Sequence, residues 1–417
     1  MEKRKAALGF IFVTLLIDVM GFGIIIPVMP ELIGDLMHVE ANEASEINGW
    51  MLAAFGAMQF LFSPLVGNLS DRFGRRPVLL ASLFGFALDY LLLFFAPTIA
   101  WLFVGRIIAG IMGASFTTAS AYIADVTPPE KRAQSYGIIG VAFGLGFILG
   151  PALGGVLSKF GPRAPFAAAA VLTLLNWLYG FFILPESLDP AHRRPFDWRR
   201  ANPLGTLKFL LRYKVILGLV ASIVLLYMAS HAIQSTWSFY TEFKFGWTGF
   251  DIGLSLAFVG VLIAGVQGGL IRFVIPKLGE RRSVYIGVFL NAIGLILLGL
   301  ATQGWMMYAF LVPYCLGGIT GPALQGIMSK QVPPNEQGEL QGSLTSLISI
   351  TSIFGPIMMS ELFYYFSKPN PVGYFPGAAM ITGAVFMIIS ALMARVSLKK
   401  NLLVTEVAPD QVPPSHH

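Results

Sequence analysis

The sequence predicts an all-α membrane protein of twelve transmembrane helices in two six-helix bundles, and three observations predict it. Of 417 residues, 55% are hydrophobic and only 12% charged, about half the charge of a soluble domain. A soluble chain of this length would divide into two domains with charged surfaces, and the charge to cover them is missing. Hydrophobic runs of spanning length recur, and a dozen crossings of roughly 20 residues fit the length. The basic residues also fall in alternate loops.

The runs lie near 8–33, 46–66, 78–97, 100–124, 135–158 and 165–184, then near 215–241, 251–275, 283–302, 304–329, 340–366 and 374–395. Only helices sustain such runs in lipid, where an unpaired backbone group is too costly. The first follows Met-Glu-Lys-Arg-Lys without a small-residue cleavage site, so it reads as a spanning helix rather than a signal peptide. Residues 1–184 form the first bundle, 185–214 a polar, arginine-rich linker, 215–396 the second bundle and 397–417 a disordered tail. Within the linker, the stretch from Leu204 to Arg212 has the pattern of a short amphipathic surface helix.

Twenty-three of the 28 Lys and Arg lie at the two ends or in every second loop. The opposite loops hold Lys159, Arg163, Lys244 and Lys368, and Arg106 lies inside a span. This bias puts both termini in the cytoplasm. The net charge of +6 thus reports orientation in a lipid bilayer, and no nucleic acid partner is expected. The single Cys315 excludes a disulfide framework. No phosphate loop, metal-ligand spacing or nucleophile elbow occurs, so neither an enzyme nor a cofactor or metal is expected.

The two halves repeat. A shift of 205 residues places Pro128, Pro129 and Gly137 on Pro333, Pro334 and Gly342. It also places Gly150-Pro151 on Gly355-Pro356, and Gly74 and Arg76 on Gly279 and Arg281. Transporters built from parallel repeats carry their substrate between the halves, near the midplane.

Charges inside spans ask for a reason, because each costs roughly 2.5–3.5 kcal/mol at mid-bilayer on insertion scales. Asp18 lies about ten residues, or ~15 Å, into span one, and Asp89 sits at similar depth in span three, with Arg106 in span four. A structural salt bridge is the plain reading. Two acids with one base favour proton handling. Span seven carries a polar stripe of Tyr227, His231, Gln234, Ser235 and Ser238 with Trp237 nearby, which reads as the wall of a substrate cavity. Gln59 and Asn176 are further candidates for that wall, although such groups also tie helices together.

The loop Gly67-Asn-Leu-Ser-Asp71-Arg72-Phe-Gly74-Arg75-Arg76 resembles the first-loop signature of the major facilitator superfamily. Gly146, Gly150, Pro151, Gly154 and Gly155 in span five resemble the motif of its drug–proton antiporters; on spacing alone they suit close helix packing. Arg106 with Gly110 and Gly113, and the run from Asp18 to Pro30, resemble further motifs of that branch. The nearest group is the tetracycline-resistance type, over nearly the whole chain. The resemblance implies proton-driven export of an organic compound; the apolar, aromatic-rich spans point to a lipophilic one, and a monomer in a bacterial inner (cell) membrane is expected. The resemblance gives Asp18, Asp89 and Arg106 a role in proton coupling, and it pairs Arg75 with Asp125 at a cytoplasmic gate with Asp71. Asn291 and Ile263 stand where that group has an aspartate and a histidine, which argues against tetracycline itself. The competing readings are an uptake symporter on the same fold and a polytopic sensor without transport.

Overall fold

A computed structural model describes residues 2–113, 115–127, 132–196, 210, 216–332, 337–369 and 373–406. Among the described residues, twelve helices are long and apolar enough to cross a membrane: Gly9–Met37, Ala41–Phe73, Arg75–Phe95, Ile99–Val126, Val141–Ser158 and Ala164–Ile183, then Leu217–Gln234, Gly249–Leu278, Glu280–Leu300, Gly304–Ser329, Leu340–Phe366 and Ala378–Leu398. They are numbered one to twelve here. Their outward faces carry exposed Phe, Leu, Val and Ile such as Phe182, Val171, Phe289 and Leu392, the surface a lipid solvent requires.

Several spans are not single rods. Pro27 lies in a short 3-10 segment, Ile26–Val28, that divides span one, because proline removes a donor and clashes with the preceding turn. Span ten is interrupted at Gly317–Ile319, and span eight holds a π-helical segment, Val266–Leu270. Span seven stops at Gln234 and a second helix, Trp237–Phe245, follows it. The last helix continues to Glu406, nine residues past the expected start of the tail at 397. Nothing breaks the helix between Ser397 and Glu406, and the first proline, Pro409, comes later. Residues 407–417 and most of the linker, including the expected surface helix, lie outside the described residues.

Within the first six spans, one packs on five and six, two on four, and three on four and six. Within the last six, seven packs on eleven and twelve, and nine on ten and twelve. The halves meet through spans two and eleven and through spans five and eight. The repeat shows in the backbone as well. Gly74 and Gly279 each join two helices with φ of 104° and 77°, a region that suits glycine because it lacks a Cβ. Pro128, Pro129, Pro333 and Pro334 fall outside the described residues.

The seam is closed on the face opposite the basic loops. There, Lys368 forms an ion pair with Glu43 at 2.5 Å, and Lys159 stands 3.9 Å over the ring of Phe250. Asn48 Nδ2 donates to the Ser235 carbonyl at 3.5 Å. Ser238 Oγ donates to the Ile26 carbonyl at 3.2 Å. Gly49 and Gly56 of span two admit Ser360 and Ser352 of span eleven. On the basic face Gln341, Gly342 and Thr345 of span eleven are exposed.

Candidate functional site: membrane charges and the seam around them

Asp89 and Arg106 form a buried pair, with Arg106 Nη2 donating to Asp89 Oδ2 at 3.5 Å. Asp89 is fully enclosed and Arg106 is 5% exposed. Gly105 makes room for the carboxylate, since a Cβ there would come within 2.6 Å of Asp89 Oδ1. Asp18 takes no part in this pair. Its Oδ1 is enclosed and has no hydrogen-bond partner, and no ion pair to it forms among the described residues. The single base therefore serves one acid, not two. The hydroxyl of Tyr90 abuts Gly21, one turn beyond Asp18, and fills the space between spans one and three.

The glycines of span five have two separate partners. A Cβ on Gly146 would meet the Val19 side chain at 2.7 Å, and one on Gly150 would meet the Met20 carbonyl at 2.7 Å. Gly154 lies against Ile24 in the same way. All three face span one, against Val19 to Ile24, the residues that directly follow Asp18. Gly155 instead lies against Gly249 and Gly253 of span eight, and Pro151 touches Gly253. The motif thus binds the helix carrying Asp18 on one side and the opposite half of the molecule on the other.

The loop after span two is tied down by charge. Arg75 Nη1 pairs with Asp71 at 2.5 Å and its Nε with Asp125 at 3.2 Å, while Ser70 Oγ accepts from Arg75 at 2.6 Å. Arg76 donates to the Phe181 carbonyl at 2.7 Å, and Arg72 lies over the ring of Phe73. Gly67 supplies the carbonyl that Ser70 Oγ donates to, at 2.8 Å. A residue that sequence reasoning passed over completes this cluster. Glu186 accepts from the backbone N–H of Arg75 at 2.8 Å and of Arg76 at 3.3 Å, capping span three, and Ser187 Oγ donates to Asp125. The Pro-Glu-Ser run at 185–187 was its only signal. The expected Arg75–Asp125 tie is present while Gln341, Gly342 and Thr345 at the start of span eleven are exposed. It is a bond within one half and does not wait for the halves to close. Asp71 shapes its own loop in this arrangement.

The expected cavity wall is only partly exposed. Gln234 is exposed and Tyr227 half-buried. His231 is enclosed against Gly355 of span eleven. Ser235 and Ser238 belong to the closed seam, and Trp237 Nε1 donates to Ser255 Oγ of span eight at 2.9 Å. Asn176 is 2% exposed and bonds Thr14 at 3.4 Å inside the first half. Those five residues do not line an open cavity here, because each is buried where helices pack together. Gln59 is half-buried and reaches the Gly113 carbonyl of span four at 3.5 Å. Asn291 Nδ2 donates to the Tyr314 carbonyl beside the break in span ten.

The chain matches known proteins over most of its length. The model for the Major Facilitator Superfamily matches residues 11–356 and again 270–412. The chain belongs to the major facilitator superfamily. It is 38% identical to the tetracycline resistance protein, class C, of Escherichia coli, over 91% of this chain and 95% of that one. It is 36% identical to the class G protein of Vibrio anguillarum, over 96% and 100%. Among solved structures, a bacterial homologue of the human lysosomal transporter Spinster superposes with a TM-score of 0.77 at 15% identity, over 99% of both chains. The human organic anion transporter MFSD10 gives 0.68 at 24% identity, over 94% of this chain and 99% of that one.

Proposed function

We infer that this protein is a proton-coupled secondary transporter that exports a lipophilic, drug-like compound or metabolite by alternating access. The observation that carries the reading is the unequal treatment of two membrane acids. Asp89 has Arg106 beside it and is a structural ion pair. Asp18 is left without a counter-charge in a site where an unpaired charge is expensive, so it is the group for which gaining and losing a proton changes most. Its helix is gripped by Gly146, Gly150 and Gly154, and the same span reaches span eight through Gly155, so a change at Asp18 has a packed route to the seam. Relatives that carry the name tetracycline resistance protein support export as the direction.

With the basic loops on the cytoplasmic side of a bacterial inner membrane, both termini are cytoplasmic and the closed seam faces outward. The arrangement is then inward-facing, ready to take substrate from the cytoplasm. Apolar, aromatic-rich spans suit a monomer carrying a neutral or singly charged compound. Asn291, which ties span nine to span ten, offers no fixed charge for a metal chelate, so tetracycline is transported poorly.

Everted vesicles test the reading. Acidifying the lumen should drive uphill accumulation of a lipophilic probe such as ethidium, collapsing with nigericin. Accumulation only in right-side-out vesicles would point to uptake, and proton-independent flux would remove the coupling. High-level tetracycline resistance conferred on a pump-deficient host would refute the substrate class.

A further inference from the structure

Buried polar atoms without partners are uncommon, because an unmade hydrogen bond leaves the full desolvation cost of the group. In the first bundle three of them lie within about one helical turn of the tie between Thr14 and Asn176. Asp18 Oδ1, Thr173 Oγ1 and Asn176 Nδ2 are all enclosed and unpartnered, and Thr173 is 1% exposed and Asn176 2%. Thr14 Oγ1 donates to Asn176 Oδ1 at 3.4 Å, joining span one to span six. The two helices run in opposite directions from that tie. Asp18 lies four residues further from the basic face on span one, a rise of about 6 Å, and Thr173 three residues further on span six, about 4.5 Å. Residues three and four apart share a helix face. Asp18 and Thr173 therefore stand at one level, on the faces that the Thr14–Asn176 bond turns toward each other.

Their chemistry is complementary through one water. The carboxylate accepts, the amide nitrogen of Asn176 donates, and the threonine hydroxyl does either. That supplies three partners, the number a buried water commonly makes. Toward the basic face Phe10, Ile11, Leu15, Tyr122 and Leu184 pack in one buried apolar cluster, which offers these groups no polar partner.

We propose that Thr173 and Asn176, backed by Thr14, are positioning residues that hold a water molecule against Asp18 and so set how readily that acid releases its proton. The inference rests on the reading of Asp18 as the coupling group. The other titratable or charged groups around Asp18 come from span three, Asp89 and Tyr90, and from span four, Arg106. Spans five and six bring none to its level; Tyr179 of span six lies further toward the basic face, against Phe10.

The test is an infrared titration of the full chain in phosphatidylethanolamine–phosphatidylglycerol vesicles, following the carboxyl band that Asp18→Asn removes. Thr173→Val, which keeps the side-chain shape, and Asn176→Leu each move its midpoint upward by about one pH unit, the equivalent of one lost hydrogen bond to a carboxylate. Thr173→Ser restores it. An unchanged midpoint in Thr173→Val overturns the proposal, as does a shift that Thr173→Ser fails to reverse. No transported compound is needed, so this result is independent of whether Asp18→Asn still drives uphill exchange, which tests the coupling role.

Discussion

Arg106 lies 3.5 Å from a fully enclosed Asp89, and the value of that pair depends on which partner is removed. Arg106→Gln leaves the acid buried without compensation and should cost about 3–5 kcal/mol of stability. The double variant Asp89→Asn, Arg106→Gln removes both charges and should recover most of the loss. Thermal unfolding of the purified protein reads both, and equal destabilisation by single and double variants would show that the charges are not coupled. Glu186 contributes differently, through two backbone N–H groups at the start of span three. Glu186→Ala should cost about 1 kcal/mol, the usual value of an N-terminal cap, whereas Glu186→Gln should lose less. A melting temperature unaffected by either change would remove the capping role.

The elements show where the sequence was sufficient and where it was not. Span positions followed from hydropathy alone, since lipid leaves the backbone no other way to satisfy its polar groups. The repeat was visible in glycine and proline because those residues fix backbone geometry, as Gly74 and Gly279 do. Side-chain partners were not visible. Whether Asp18 or Asp89 took Arg106, and whether Asn176 faced the seam or span one, depends on helix rotation, which composition does not set. On span seven His231, Ser235, Trp237 and Ser238 are buried in the closed seam, because a polar stripe packs as readily between helices as along a cavity. Span five separates two roles on neighbouring glycines. Gly150→Leu should force spans one and five apart and destabilise the fold by about 1–3 kcal/mol. Gly155→Leu should leave the melting temperature nearer that of the parent and shift the balance between arrangements, read by distances between spin labels on spans five and eight. Identical behaviour of the two variants would contradict the division.

At the scale of the molecule, the closed seam holds a cleft of about 740 Å³ lined by Glu31, Asp35, His38 and Glu40 of the first half and by Glu242 and Phe243 of the second. Glu242 lies beyond the end of span seven. Burial first, and the charge of Glu31 second, push its carboxyl up to about 7. A raised acid binds its proton more tightly in the closed seam than in water. The closed arrangement is thus favoured most below the ordinary carboxylate range, and that advantage is lost as pH rises through about 7. Label distances across the outer ends of spans one and seven should lengthen over that window, and Glu242→Gln should flatten the response; an unchanged profile in the variant would dismiss the residue. With the basic loops in the cytoplasm, as proposed, low external pH would close the outer side and favour the inward-facing form, the direction an exporter driven by inward proton flow requires. The central claim is that Asp18 links that flow to the substrate, and transport by Asp18→Asn in proteoliposomes tests it most directly. The account predicts that the variant still exchanges a lipophilic probe down its gradient but no longer moves it uphill when a pH gradient is imposed. Uphill transport by Asp18→Asn at the parent rate would contradict it.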